Sequence, residues 1–134
     1  MQYEWSSELE SGCPSIDSQH KQLFASLQEL LSACQRGEQA SELKKTLDFL
    51  VDYSIKHFAD EEEFQIKHNY PDYERHKRLH DDFKAVASDL VARVTEEGAS
   101  PKLVAEAHFT VGKWLVSHIK GEDLKIALHA RGQS

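Results

Sequence analysis

Four stretches of this chain repeat apolar residues every three or four positions, and each stretch carries at least one histidine on its apolar stripe. The spacing predicts four helices. The first runs from about residue 18 to 36, with Leu23, Phe24, Leu27, Leu30, Leu31 and Cys34 on one face and His20 on the same stripe just before them. The second, about 42–67, leads from Leu43, Leu47, Leu50, Val51 and Ser54 to His57, Phe58 and Glu61. The third, about 72–97, aligns His76, Leu79, His80, Phe83, Val86, Ala87, Leu90 and Val94. The fourth, about 101–129, aligns Val104, Ala107, Val111, Trp114, Leu115 and His118. Residues 1–17 read as an irregular arm that Trp5 anchors on the helices.

The breaks between the stretches agree with this division. Gly37 follows the first and Gly98 closes the third, where a glycine commonly ends a helix. Ser100-Pro101 is an N-cap followed by proline at the first helical position. Tyr70-Pro71-Asp72 interrupts the middle of the chain. No alternating β-branched run is long enough for a strand pair. The expectation is an all-α, up-down-up-down antiparallel four-helix bundle with an N-terminal arm, forming a single domain over residues 1–134.

Charge and composition exclude several classes of function. The net charge is −7 with no basic patch, which argues against nucleic acid as a partner. No run of some 18 apolar residues predicts a membrane span. Met1 to Glu10 lacks the basic and apolar regions of a secretory signal, so the expected location is cytoplasmic. Cys13 and Cys34 are then expected to be free thiols.

A single histidine on an apolar stripe is ordinarily a buried imidazole bonded to backbone. Five at once, His20, His57, His76, His80 and His118, are different. Each ring brings two nitrogens that need partners. An unsatisfied buried group costs about 1–3 kcal/mol. A metal centre takes one nitrogen from each ring, leaving the other for an outer acceptor. The spacings suit this. His57-x-x-x-Glu61 and His76-x-x-x-His80 each place two ligand types on one helix face. On the fourth helix, His118 is followed by Glu122 at i+4 and Asp123 at i+5. Regular helical spacing selects Glu122. A π-type bulge, eased by Gly121, would bring Asp123 round instead.

The arrangement His20, His57-x-x-x-Glu61, His76-x-x-x-His80, His118-x-x-x-x-Asp123 resembles the hemerythrins, specifically the bacterial hemerythrin-like domains. Trp5, the run Ser15 to His20, Tyr70-Pro71 and Trp114-Leu115-x-x-His118-Ile119 share in the resemblance, which spans nearly the whole chain. The family pattern favours Asp123 over Glu122. It implies two iron ions bridged by Glu61, Asp123 and a hydroxo or oxo group. It further implies that His76, His80 and His118 fill one iron, while His20 and His57 leave one position open on the other. Molecular oxygen is the implied partner, bound reversibly for oxygen or redox sensing or for storage and delivery. A di-iron enzyme, peroxidase-like or iron-oxidising, is the alternative use of such a site. Iron itself rests on the resemblance, since imidazole-rich sites accept several metals.

Phe24, Phe58, Trp114, Leu115 and Ile119 are expected to line an apolar oxygen pocket. Gln65 lies at i+4 from Glu61, where the family commonly has an apolar residue, and is expected to face the same pocket. There it would admit water or hydrogen-bond the pocket and speed oxidation to iron(III); the alternative is that it simply points between helices. His68, His108 and His129 read as surface residues first and as outer partners of the ligands second, and Asp60, Glu62 and Glu63 as a solvated acidic face. The chain ends just after its fourth helix, which fits either a complete small carrier or a sensor domain trimmed from a longer protein with a signalling output.

Overall fold

The computed structural model describes residues 3–98 and 100–132 of the chain. Helix α1 spans Pro14–Gln35, α2 Ala40–Lys67, α3 Tyr73–Glu97 and α4 Pro101–His118. A π-helical turn, Ile119–Asp123, then leads into α5, Leu124–Gly132. The four long helices form an all-α, up-down-up-down antiparallel bundle, in which α1 packs on α2 and α4, and α3 packs on α2 and α4. Among the described residues no helix is long and apolar enough to cross a membrane.

Helix ends follow local chemistry. The Ser100 hydroxyl accepts from the Leu103 backbone N–H at 3.1 Å, with Pro101 at the first position, as expected for an N-cap. Gly37 and Gly98 take positive φ, +74° and +87°, just past α1 and α3. The sequence places the start of α1 about four residues too late. Pro14 opens it, because the Asp17 carboxylate reaches back to the Ser11 N–H at 2.9 Å and the Ser11 hydroxyl at 2.8 Å. That folds the arm against the first turn, and the negative charge suits a helix N-terminus.

Leu23, Leu27, Leu30, Leu43, Leu47, Leu50, Leu90, Val94, Val104 and Val111 fill the interior toward the α1–α2 and α3–α4 loops. Val86, expected on the buried stripe, is 43 % exposed, because Phe83, Ala87 and Leu90 define a stripe that leaves it outside. The arm is held less by Trp5, which stays half-buried, than by Tyr3 and Leu9. Tyr3 lies flat on Gly112 of α4, where an added Cβ would meet its ring at 2.1 Å.

Candidate metal centre

At the end of the bundle nearer the α2–α3 loop, the stripes change from leucine to histidine and carboxylate. His20 of α1, His57 and Glu61 of α2, His76 and His80 of α3, His118 of α4 and Asp123 of the π turn meet in one interior layer. None is more than 6 % exposed. They form two sets. One is Glu61, His76, His80, His118 and Asp123; the other is His20, His57, Glu61 and Asp123. Within each set the ligand atoms lie within 4.8 Å of one another. Both sets contain the same two carboxylates.

The contacts inside the layer are those of groups converging on a common point. His118 Nε2 lies 3.0 Å from His76 Nε2 and 3.2 Å from His80 Nε2. Two imidazole nitrogens can share at most one proton, and three cannot satisfy one another. Asp123 Oδ1 lies 3.0 Å from the Nε2 atoms of His76 and His118, and Asp123 Oδ2 lies 3.0 Å from His20 Nε2. Yet His20 Nε2, Asp123 Oδ1 and Glu61 Oε2 are buried without an aligned hydrogen bond. Near approach without alignment fits lone pairs directed at a shared cation. Imidazole with carboxylate suits iron, zinc, copper or nickel rather than magnesium or calcium.

Outer partners set which nitrogen faces inward. His57 Nδ1 lies 2.7 Å from Gln19 Oε1. An amide oxygen only accepts, so Nδ1 carries the proton and Nε2 presents its lone pair to the layer. Gln19 Nε2 in turn donates to Asp60 Oδ2 at 2.8 Å, which fixes the amide's orientation. His80 Nδ1 donates to Glu62 Oε2 at 2.9 Å. Asp60 and Glu62 are therefore more than the solvated face the sequence suggested. The signal was present, since both lie one position from Glu61, but their partners sit on other helices.

The π turn decides between the two acids that follow α4. The Leu124 N–H bonds to the Ile119 carbonyl, five residues back, so the helix gains a residue between His118 and Leu124. Asp123 thereby turns inward, 1 % exposed, while Glu122 turns outward to pair with Arg75. Gly121 has no positive φ, and a Cβ there would meet nothing, so the bulge does not depend on glycine.

The electrostatics describe a cluster that demands positive charge. Burial disfavours a charged His20, but Asp123 and Glu61 outweigh it and raise its pKa to about 9. His76 follows, also to about 9, for the same reasons. Burial pushes Glu61 upward, yet His20, His57, His76 and His80 together hold it well below the usual carboxylate range. Asp123 is likewise held low by His118 and His20 against burial and the nearby charge of Glu61. Protons on imidazole meet that demand where no metal does.

The six residues expected around an oxygen pocket divide. Phe58 stacks on His80 with ring centroids 4.1 Å apart, and Trp114 stacks on His118 at 4.2 Å. Both rings therefore cover the three-histidine set. Phe24, Leu115 and Ile119 are buried beside the leucine core. Gln65 is fully buried, one turn beyond Glu61 on α2. Since α1 and α2 are antiparallel, the residue after His20 by one turn and the residue after Glu61 by one turn point to opposite ends of the bundle. Gln65 thus stands one turn beyond Glu61 toward the α2–α3 loop, and Phe24 one turn beyond His20 toward the α1–α2 loop.

His108, expected at the surface, is 4 % exposed beneath Tyr3, with ring centroids 5.4 Å apart, and burial lowers its pKa. Gly112 in the middle of α4 was the sequence signal for a close neighbour there. His68 and His129 are half-buried, and His129 Nε2 donates to the His68 carbonyl at 3.0 Å. Both cysteines are free.

Comparison with known proteins adds a family to this geometry. The model of the hemerythrin HHE cation binding domain matches residues 13–128. A myohemerythrin of Theromyzon tessulatum is 34 % identical over 123 residues, covering 92 % of this chain and 89 % of the relative. A bacteriohemerythrin of Stenotrophomonas maltophilia is 34 % identical over 120 residues, covering 89 % and 75 %. The crystal structure of a wild-type hemerythrin superposes with a TM-score of 0.82 at 29 % identity, over 94 % of this chain and 95 % of that one.

Proposed function

The chain belongs to the hemerythrin family, and on that premise we propose that it binds molecular oxygen reversibly at a pair of iron ions. The observation that carries the reading is the pair of ligand sets that share Glu61 and Asp123. In this reading the two carboxylates would bridge the irons together with a hydroxo or oxo group. His76, His80 and His118 complete one ion. His20 and His57 leave the other one ligand short.

When bound, the reduced iron pair supplies the electrons by which dioxygen is held. The protein supplies the rest. Gln19 and Glu62 keep His57 and His80 in the tautomer that turns Nε2 inward. Phe24, Leu115 and Ile119, each at most 2 % exposed, exclude water from the side of the layer facing the core. Phe58 stacks against the imidazole of His80 and Trp114 against that of His118, which steadies both rings. Burial of all seven ligands favours a diatomic partner over a bulky substrate.

The test is the visible spectrum of the iron-loaded, reduced chain as oxygen is added and withdrawn. A charge-transfer band that comes and goes with oxygen is the expected result. Conversion straight to iron(III), with no such band at any oxygen level, would overturn reversible binding. The lifetime of the band then separates roles: a long-lived adduct suits storage and delivery, and a short-lived one suits a sensor coupled to an output domain.

A further inference from the structure

Three residues of α2, His57, Glu61 and Gln65, succeed one another at one-turn intervals, and all three are buried. The first two face the ligand layer. Gln65 is 0 % exposed, and neither its Nε2 nor its Oε1 has a hydrogen-bond partner. A buried amide without a partner is uncommon, because its desolvation is left uncompensated.

The antiparallel register shows what lies level with it. Glu61 Oε1 touches His80 Nε2 at 3.1 Å and His76 Nε2 at 3.0 Å, and Glu62 reaches His80 Nδ1. One turn from Glu61 toward the α2–α3 loop is Gln65. One turn from His80 toward the same loop is His76. Tyr70, in that loop, ties the level together. Its N–H donates to the Gln65 carbonyl at 2.9 Å, and its ring centroid lies 6.4 Å from that of His76. His76 turns Nε2 toward Glu61 and Asp123, so Nδ1 faces away from the layer, buried and without an acceptor. Two of its fellow imidazoles are served, His57 by Gln19 and His80 by Glu62.

We propose that Gln65 and His76 enclose a binding site for one buried water, which accepts the His76 Nδ1–H and donates to Gln65 Oε1. A buried water typically makes two to four hydrogen bonds, and these groups supply an acceptor and a donor for it. Through that water Gln65 is a positioning residue for His76, holding the ring neutral with Nε2 toward the metal. A water held by a neutral amide does not draw the proton off Nδ1, so the tautomer is fixed without adding charge beneath Asp123. The inference deepens the di-iron reading and rests on it.

Two variants of the full chain test it. Gln65→Met keeps length and removes both polar atoms; Gln65→Glu keeps an acceptor. The first measurement is the rate at which the iron-loaded protein surrenders iron to excess chelator. Gln65→Met should release iron on the order of 10-fold faster, and Gln65→Glu near the wild-type rate. The second is thermal unfolding of the metal-free chain, where Gln65→Met should stay close to the wild type, since one hydrogen bond from a water does little more than offset the desolvation of the amide. Faster release from an equally stable fold is the signature of positioning; equal loss in both measurements marks a merely structural residue and overturns the inference. A crystal structure of the wild type should show the water within hydrogen-bond distance of both side chains, and an apolar gap or a direct contact there also overturns it. Should the chain take up no iron pair, the proposed function fails, and the water is still judged by that structure.

Discussion

Toward the α1–α2 and α3–α4 loops the bundle interior is Leu27, Leu30, Leu43, Leu47, Leu90 and Val104; further along the same helix faces it is His20, His57, Glu61, His76, His80, His118 and Asp123. Both regions occupy the buried stripe of an amphipathic helix. In the leucine half, each side chain gains roughly 1.5–3 kcal/mol from leaving water. In the histidine half, burial alone opposes folding, and the layer needs positive charge among its carboxylates, from a shared cation or from protons on its imidazoles. One region stabilises the fold so that the other can hold a reactive centre. The difference teaches that a helical stripe specifies where a side chain is buried, while residue type decides whether that burial builds a core or a site.

The sharpest way to break this comparison is to remove a group that both ligand sets share. Glu61→Ala should reduce iron from two ions per chain to nearly none, whereas His57→Ala should retain one, as read by elemental analysis after dialysis. Retention of both irons by Glu61→Ala would separate the sets and end the shared-carboxylate account. Stripping iron from the wild type should come next in size. A thousandfold excess over Kd contributes about 4 kcal/mol, so the unfolding midpoint of the stripped protein should fall by roughly 10–20 °C for a domain of this length. An unchanged midpoint would mean that protons serve the cluster as well as metal does.

Leu47→Ala probes the other half. It should cost about 2–5 kcal/mol, by the same amount with and without iron, because Leu47 lies more than two turns of α2 before His57 and distant sites add. A cost that depends on iron would show the halves to be coupled. The smallest effect is expected at Glu122. Glu122→Gln breaks only the outer ion pair with Arg75, so iron content should hold and the midpoint should move by less than about 2 °C. Loss of one iron would make Glu122 a ligand after all.

Much of this was legible along the chain. The stripes gave four helices, Ser100-Pro101 gave a cap that the structure contains, and seven ligand candidates fell on the stripes or next to them. Other features were not legible, for identifiable reasons. Periodicity could not choose between Glu122 and Asp123, because a π turn changes the period it relies on. The Asp17–Ser11 contact moved the start of α1 through a bond six residues long. Gln19, Asp60 and Glu62 gained their roles from partners 18 to 41 residues away. His108 was buried by Tyr3, which lies more than one hundred residues earlier in the chain.

The sequence by itself determined the helices, their buried faces and the donor atoms on them, because those depend on 3.6-residue periodicity and side-chain chemistry within one segment. Only the tertiary structure decided which imidazoles meet, which acid turns inward, and toward which end of the bundle Gln65 lies. Those outcomes depend on the antiparallel direction of neighbouring helices and on hydrogen bonds between them, and no single helix contains either.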